Sequence, residues 1–494
     1  MPMKHTLSLF LLFSILCKTT LLAQQPPKRE FRGAWIQTVF QSEYAKMSIE
    51  EMKIDFIQKL NQLQSCGINA IIFQVRPEAD AWYHSQLEPW SRFYTGKQGV
   101  APDPLFDPMA FLIKECHRRN MEFHAWLNPF RASTSGTSIL ADSHIYYKHP
   151  EWFVTYNKQL LFDPGIPACR KYICQIVEDI VSRYDIDAIH MDDYFYPYPV
   201  NGIPFPDDNS FLTYGKEYKP EERDDWRREN VNSLIRDLKH TIVKTKRWVR
   251  FGISPFGIYR NKKSTPDGSG SNTNGLQNYD NLYADIILWA KKGWIDYNMP
   301  QIYWEIGHPA ADYITLAQWW NKNAHHAHLY IGQDVARTMK AEELSSKMQL
   351  SRSLPHVKGN CFWPANEILW NTQGIADSLR EHYHRYPALI PAYTHMHNKH
   401  PKKIASPHAE RTRKGYTVKW FAKGDRKNAQ NPQYFVIYRF LPGQKIDLNN
   451  PANIAAITRY TECYIPLTKI KYRYVITAVN RFHLESKGKK IKLK

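Results

Sequence analysis

The sequence predicts a (β/α)8 TIM barrel followed by a small all-β sandwich. Eight short apolar segments alternate with eight helical patterns, which is the order that a (β/α)8 barrel requires. The segments are apolar on both faces, as parallel strands covered by helices should be. Beyond residue 407 the pattern changes to short alternating strands separated by turns, which is typical of a β-sandwich.

The predicted strands and helices follow one another at a steady spacing. The strands are Arg32–Val39, Asn69–Arg76, Glu122–Pro129, Ile186–Asp192, Arg250–Pro255, Ile295–Tyr303, His328–Asp334 and Lys358–Pro364. The helices are Ile49–Cys66, Pro108–Asn120, Ala168–Tyr184, Asp224–Thr245, Tyr279–Lys292, Ala310–Asn323, Ala341–Ser353 and Gly374–Tyr386. Ser48 and Glu51 form a capping-box pattern ahead of the first helix. We therefore expect a barrel over residues 28–390, a linker over 391–407 and a sandwich over 408–494.

Residues 1–23 have the pattern of an export signal. Lys4 and His5 precede the apolar run Leu7–Leu16, and Ala23 is a small residue at a suitable cleavage position. Cys17 raises lipidation as an alternative, although Leu16 is a poor residue before a lipidated cysteine. We expect an exported protein of the periplasm or cell surface, with no transmembrane span after the signal.

The positive charge lies mainly in the last fifth of the chain. The formal net charge is +19, and residues 396–494 hold 22 Lys and Arg against 5 Asp and Glu. The C-terminal module could contact anionic envelope polymers through this charge, or simply present a solvated basic surface. Nucleic acid is not an expected partner of an exported protein.

Two adjacent acids, Asp192 and Asp193, end the fourth predicted strand. The carboxyl ends of barrel strands form the active face, and glycoside hydrolysis uses two carboxyl groups. Strand alternation places Asp192 on the same side as His190, so one acid of the pair should face the barrel axis. Neighbouring acids on one strand can hardly flank a glycosidic bond, which leaves Glu305 or Asp80 as the expected second catalytic group. Alternatively, Asp80 pairs with Arg76, and Glu305 only hydrogen-bonds substrate.

Other polar and aromatic residues at strand ends are candidates for sugar binding. The expected substrate-binding set is Gln74, Arg76, Asn128, His190, Tyr194, Gln301, Tyr303, Trp304 and Trp363, with core packing as the alternative for the tryptophans. The sequence His190-Met191-Asp192 also suggests a metal hydrolase. The strand ends offer few convergent histidines, so we expect no metal and no cofactor.

The strand-end motifs together resemble the glycosyl hydrolase-like 10 family. They are Arg32-Gly33-Ala34-Trp35, Phe73-Gln74-Val75-Arg76-Pro77, His124-Ala125-Trp126-Leu127-Asn128-Pro129, Asp163-Pro164-Gly165, Asp192-Asp193-Tyr194-Phe195, Gly252-Ile253-Ser254-Pro255 and Pro300-Gln301-Ile302-Tyr303-Trp304. The resemblance covers roughly residues 30–386 and implies a barrel glycoside hydrolase of the bacterial envelope, one branch of which is similar to enzymes that cut denuded peptidoglycan. It places Asp192 and Asp193 on the family's paired acids and Asp80 on its acid after strand two. Residues 472–480 resemble a late strand of an immunoglobulin-like fibronectin type III module.

We therefore expect an exported glycoside hydrolase that hydrolyses O-glycosidic bonds of an envelope glycan or another polysaccharide by carboxylate acid/base catalysis. The alternative is a non-catalytic glycan-binding protein of the envelope. The sequence leaves open the sugar, the linkage, and a retaining or inverting course.

Overall fold

The computed structural model describes residues 26–137, 139–422, 424 and 428–493. The export signal expected over residues 1–23 lies outside this part of the chain. The strands are β1 (Phe31–Ile36), β2 (Ala70–Arg76), β3 (Glu122–Leu127), β4 (Arg131–Ser133), β5 (Phe153–Tyr156), β6 (Gln159–Phe162), β7 (Ala188–Met191), β8 (Arg250–Ile253), β9 (Tyr297–Asn298), β10 (His328–Asp334), β11 (Val357–Trp363), β12 (Ala405–Arg411), β13 (Gly415–Phe421), β14 (Tyr434–Phe440), β15 (Ile454–Thr458), β16 (Glu462–Pro466), β17 (Arg473–Val479) and β18 (Lys489–Ile491).

The α-helices lie mainly between the barrel strands. They are α1 (Ile49–Ser65), α2 (Arg92–Thr95), α3 (Pro108–Arg118), α4 (Pro167–Arg183), α5 (Asp208–Tyr214), α6 (Arg223–Thr245), α7 (Asn278–Asn281), α8 (Ile286–Lys291), α9 (Tyr313–Lys322), α10 (Val335–Lys340), α11 (Leu344–Ser353), α12 (Ala365–Leu369) and α13 (Ile375–Ser378). At α1 the expected capping box is present, because the Ser48 and Glu51 side chains each accept the other residue's backbone N–H. No helix in the described ranges has the length and apolarity needed to cross a membrane.

Eight parallel strands close into a barrel in the order β1-β2-β3-β7-β8-β9-β10-β11, which confirms the predicted fold class. Closure occurs where β1 pairs with β11, with Phe31 opposite Gly359. A Cβ at Gly359 would overlap the Phe31 backbone, and its φ of +144° also favours glycine, so this close approach requires the residue.

The barrel interior is filled by side chains. Inward-facing residues form one cluster: Phe31, Trp35, Ala70, Ile72, Trp126, Ala188, Tyr297, Met299, Tyr330, Cys361, Ile390 and Tyr393. Along β1, β3 and β7 these residues alternate with outward-facing ones that pack against the helices, as the period-2 pattern of strands requires. The barrel is therefore a packed core, and its binding space lies above the strand ends.

Some elements differ from the sequence prediction. The sixth barrel strand, expected over Ile295–Tyr303, is reduced to β9, because Pro300 lacks a backbone N–H. Beyond it, Gln301 keeps only isolated bridges to Phe256 and Gly332. The segment between the third and fourth barrel strands contains the three-stranded antiparallel sheet β4-β6-β5, which was not among the predicted strands. The helix expected over Tyr279–Lys292 is divided into α7 and α8.

Strands β12 to β18 form a small antiparallel domain, the C-terminal module. Its sheets have the orders β12-β13-β16 and β15-β14-β17-β18, and they pack around Trp420, Phe435 and Ile476. The module covers the amino ends of the barrel strands, where Lys28 pairs with Glu485 at 2.6 Å. The start of the expected linker also packs there, because Tyr393 is fully buried in the barrel interior.

Candidate active site

A cavity of about 340 Å³ opens at the carboxyl ends of the barrel strands. Its position is the one that barrel enzymes use for catalysis, and its volume is in the usual range for ligand sites. The lining is mainly aromatic and polar: Trp35, Gln37, Val39, Phe40, Gln74, Trp126, Arg131, Asp192, Asp193, Tyr194, Tyr198, Ser254, Gln301, Tyr303 and Trp363.

Asp192 and Asp193 both line this cavity, but each is held by a different side of the barrel. The Asp192 carboxylate accepts the Trp126 indole N–H at 3.0 Å and the Asn128 amide at 3.4 Å, both from the β3 side. Asp193 accepts a hydrogen bond from the Tyr198 hydroxyl and another from the Gln301 amide, at 3.1 Å for Gln301. The two carboxyl groups therefore belong to one site and have distinct partners.

Burial raises the pKa of both acids. Burial is the larger cause at Asp192, followed by the charge of Asp193, and together they raise the pKa of Asp192 to about 7. The Arg131 guanidinium opposes this shift. Burial also raises the pKa of Asp193, but donation from Tyr198 and Gln301 works against that rise. Asp192 is thus able to carry a proton near neutral pH while Asp193 is better stabilised as a carboxylate.

Aromatic rings form the walls of the cavity. Trp363 meets Trp35 and Trp126 edge-on, with ring centroids 6.5 Å and 6.1 Å apart. At the mouth, Tyr194 is 41% exposed and Phe40 is 67% exposed. Phe40 has a φ of +61°, an unfavourable conformation for a phenylalanine. Exposed rings beside buried acids are suited to stacking on the apolar faces of sugars.

Gln74 supplies a free hydrogen-bond donor to this region. Its carbonyl oxygen accepts the backbone N–H groups of Thr38 and Val39 at 3.0 Å and 2.9 Å, which fixes the orientation of the amide. Its Nε2 is buried and, within the described residues, has no hydrogen-bond partner. A buried donor without a partner is costly, so a ligand oxygen in the cavity would gain from accepting this N–H.

His190 lies below the cavity floor and is fully buried. Its Nε2 is 2.9 Å from the Ser254 hydroxyl and 3.3 Å from the Trp35 indole nitrogen. Burial lowers its pKa well below the ordinary value, so the ring is neutral. The structure therefore places His190 behind two lining residues instead of in direct contact with the cavity.

The structure does not bring the expected second acids into the cavity. Asp80 is fully buried away from the lining, where it accepts hydrogen bonds from the Glu78 backbone and the Gln98 amide, both at 3.2 Å. Glu305 lies outside the lining in the loop before α9. There its charge acts on Lys347. Burial lowers the pKa of Lys347, and the charges of Glu343 and Glu305 oppose this shift without reversing it.

Three residues expected to bind substrate also lie outside the lining. Arg76 is fully buried and forms a two-pronged ion pair with Glu88, with N···O distances of 2.8 Å and 2.7 Å. Asn128 is buried behind Asp192, and Trp304 packs against Phe256 at a centroid distance of 5.3 Å. These side chains support the site from behind, whereas Gln74, Tyr194, Gln301, Tyr303 and Trp363 do line the cavity.

Several lining residues were not selected from the sequence. Trp35 and Trp126 face inward at the ends of β1 and β3, so strand alternation alone could have identified them. Arg131 begins the short strand β4 and Tyr198 lies on a loop, and neither segment is one of the strands predicted from the sequence. Among the described residues, no group of three or more His, Cys, Asp or Glu side chains is arranged to hold a metal ion.

A TIM barrel with buried carboxylic acids and aromatic rings at its active face defines the class of glycoside hydrolases. The family comparison agrees, because the profile described as glycosyl hydrolase-like 10 matches residues 30–348. The chain belongs to this family and is a glycoside hydrolase.

The relatives are bacterial proteins. The chain is 39% identical to the glycosyl hydrolase YngK of Bacillus subtilis (strain 168) over 490 residues, which covers 95% of this chain and 94% of the relative. It is 35% identical to the glycosyl hydrolase DigH of Escherichia coli (strain K12), over 69% of this chain and 83% of that protein. Among solved structures, it is similar to the PgaB (BpsB) glycoside hydrolase domain from Bordetella bronchiseptica, with a TM-score of 0.48, 12% identity, and coverage of 71% of this chain and 98% of that one.

Proposed function

We propose that the protein is an exported glycoside hydrolase that cuts an envelope glycan, with denuded peptidoglycan strands as the candidate substrate. The observation that carries the proposal is the pair of buried acids, Asp192 and Asp193, in one aromatic-lined cavity. We further propose that it acts in the periplasm or at the cell surface, which the export pattern of residues 1–23 supports.

The two acids divide the chemistry between them. Asp192 acts as the proton donor to the leaving glycosidic oxygen, because its raised pKa keeps it protonated near neutral pH. Asp193 acts as the carboxylate, since Tyr198 and Gln301 donate hydrogen bonds that favour its ionised form. The charge of Arg131 lowers the pKa of Asp192 and so limits the rise that burial and Asp193 produce.

A third carboxyl group is not needed if the substrate supplies its own nucleophile. Within the described part of the cavity lining, Asp192 and Asp193 are the only acids. In substrate-assisted glycosidases, an acetamido group on the sugar attacks the anomeric carbon. One acid then donates the proton and the other orients the amide N–H. Peptidoglycan sugars carry 2-acetamido groups, so the adjacent pair fits this substrate better than a plain polysaccharide.

The decisive experiment measures new reducing ends by mass spectrometry after incubation with denuded peptidoglycan, intact peptidoglycan and a panel of neutral polysaccharides. We expect release from the denuded strands, with losses of at least about a hundredfold in Asp192→Asn and Asp193→Asn. Glu305→Gln is the matched control and should retain activity, because that acid lies outside the lining.

The same assay tests the acetamido mechanism and the alternative function. A thiazoline that mimics the cyclised acetamido intermediate should inhibit the wild type competitively, and the absence of inhibition would argue against substrate assistance. Tight binding of glycan without any new reducing ends would instead support the non-catalytic glycan-binding alternative.

We also propose that the C-terminal module is a fibronectin III-like domain that contacts anionic envelope polymers. Its paired antiparallel sheets support the domain type. A cavity of about 520 Å³ in the module is lined by three tyrosines and by four basic residues: Lys471, Arg473, Lys490 and Lys492. Cations beside aromatic rings suit a ligand with carboxylate or phosphate groups on a sugar frame.

Binding to an anionic polysaccharide at increasing salt tests this role. Charge reversal at Lys471 and Lys490 should weaken binding at least about tenfold at low salt and flatten its salt dependence. The same reversal at Lys97 and Lys114, two exposed lysines of the barrel, is the matched control. Equal effects of the two double variants would contradict a site in the module.

A further inference from the structure

A buried column of hydrogen bonds runs through the barrel from the amino end of β3 to the cavity floor. His190 Nδ1 lies 3.0 Å from the Tyr297 hydroxyl, which lies 2.9 Å from His124 Nδ1. His124 Nε2 lies 3.0 Å from a carboxylate oxygen of Glu122. All four residues are at most 2% exposed, so water does not compete for these bonds.

The direction of each hydrogen bond follows from one residue at the top of the column. The Trp35 indole can only donate, so the His190 Nε2 that it reaches at 3.3 Å must be an unprotonated acceptor. The proton of neutral His190 is then on Nδ1 and is donated to the Tyr297 oxygen. Tyr297 has one proton, which it donates to His124 Nδ1. His124 therefore carries its own proton on Nε2 and donates it to Glu122.

The C-terminal module supplies the lower end of the column. Arg250 donates to Glu122 at 2.6 Å and to Nε2 of the module's His483 at 2.9 Å, and so links the two residues. Burial is the largest single effect on the pKa of Glu122 and raises it. Arg250 and His483 together outweigh burial, so the pKa lies well below its ordinary value. An ionised Glu122 can only accept hydrogen bonds, which is what the donor order of the column requires.

The upper end of the column meets the active site through two lining residues. His190 Nε2 accepts from the Trp35 indole and from the Ser254 hydroxyl at 2.9 Å. The Ser254 carbonyl in turn accepts one N–H of the Gln301 amide at 2.8 Å, and the other N–H is donated to Asp193. The tautomer of His190 thus sets the orientation of Trp35 in the cavity wall. It also sets the position of Ser254, whose backbone directs the Gln301 amide to Asp193.

We infer that Glu122, His124, Tyr297 and His190 form a positioning column that fixes the His190 tautomer and thereby orients Trp35 and Ser254 for catalysis, and that His483 of the C-terminal module anchors its lower end. None of the four column residues lines the cavity. The module is accordingly a structural part of the catalytic unit, in addition to any binding role it has. The activity readout for this inference rests on the proposed function, whereas the spectroscopic readout does not.

Tyr297→Phe tests the column by removing one hydroxyl and nothing else. Histidine ¹⁵N spectra should show His190 with its proton on Nδ1 in the full-length wild type and a mixture of tautomers in the variant, with the signal assigned from its loss in His190→Asn. On denuded peptidoglycan, kcat/KM should fall about tenfold in the variant, because two buried ring nitrogens lose their partner.

Tyr330→Phe is the matched control. Tyr330 lies in the same interior cluster, 5.4 Å from Tyr297 between ring centroids, but its hydroxyl bonds to Tyr393 instead of to the column. It should lose some stability while kcat, KM and the His190 tautomer stay unchanged. If Tyr297→Phe also lowers only the melting temperature, the positioning role is refuted.

His483→Ala tests the anchoring by the module in the intact chain. It should shift the His124 and His190 resonances and lower kcat/KM by about threefold, a smaller effect because the break lies further from the cavity. Unchanged resonances would refute the anchoring role of the module. If neither the wild type nor any variant releases reducing ends, the proposed function fails. The tautomer spectra still decide whether the column exists, because they do not depend on activity.

Discussion

Asp80 provides a test that separates burial from catalysis. Its pKa is raised to about 7, first by burial and then by the neighbouring charge of Glu78. An aspartate in the unfolded chain has a pKa near 3.9, so between about pH 4 and pH 7 the folded protein keeps a proton that the unfolded chain releases. The contribution of Asp80 to stability is fully present below about pH 4. It falls by about 1.4 kcal/mol per pH unit, or about 4 kcal/mol in total, as the pH rises through 7.

Asp80→Asn removes this pH dependence, because an amide does not titrate. We expect the free energy of unfolding of the variant relative to the wild type to rise by about 2.5 kcal/mol between pH 4.5 and pH 6.5. Urea denaturation of both proteins at the two pH values measures the difference, in which the similar contribution of Asp192 cancels. Asp142→Asn, at an exposed position, is the control and should show no such change.

Activity completes the test of Asp80. If the residue is only buried, Asp80→Asn should keep kcat/KM within about threefold of the wild type, while Asp192→Asn should lose at least about a hundredfold. A loss in Asp80→Asn as large as that in Asp192→Asn would refute the placement of Asp80 outside the reaction. A relative stability that does not change with pH would refute the raised pKa.

Three further outcomes follow from the cavity. The kcat/KM of the wild type should decline as the pH rises through about 7, because Asp192 loses the proton it donates, and a profile flat to pH 9 would exclude that role. Tyr198→Phe should raise the pKa of Asp193 by removing a donor, which moves the acidic limb of the kcat profile to higher pH; an unmoved limb would show that Asp193 is not the ionised group. Phe40→Ala should raise KM about fivefold with kcat unchanged, as expected for a lost stacking surface, whereas Leu105→Ala, at another exposed apolar residue, should change neither.

The fold could be predicted from the sequence because its signals are local. Short apolar segments that alternate with helical patterns, together with the Ser48 capping box, predicted the barrel, and the closed sheet confirms it. The short β9 could not be predicted from apolar content, since apolar residues such as Met299 and Ile302 occur on both sides of Pro300. The end of the hydrogen-bond ladder depends on the missing N–H of that proline and on the bridges that Gln301 makes to Phe256 and Gly332.

The candidate site was less predictable, because side-chain direction at a strand end depends on neighbours that are distant in sequence. Alternation placed Asp192 toward the barrel axis, and the structure puts both acids in the cavity. Whether Asp80 faces the cavity depends on the fold of residues 78–98, which encloses it with Glu78 and Gln98. No local pattern encodes that enclosure. Strand alternation could have identified Trp35 and Trp126, but it could not have identified Arg131 or Tyr198.

The contact between His483 and Glu122 joins residues that are 361 positions apart, and this separation has a consequence for biosynthesis. Ribosomes add about 5 to 20 residues per second, so the last hundred or so residues arrive roughly 5 to 20 seconds after the barrel sequence is complete. During that interval Glu122 and Arg250 lack the residue that covers them in the finished structure. The amino end of the barrel can reach its final state only after translation of the C-terminus, so a chain that is shortened there exposes buried charge to the cell's proteases.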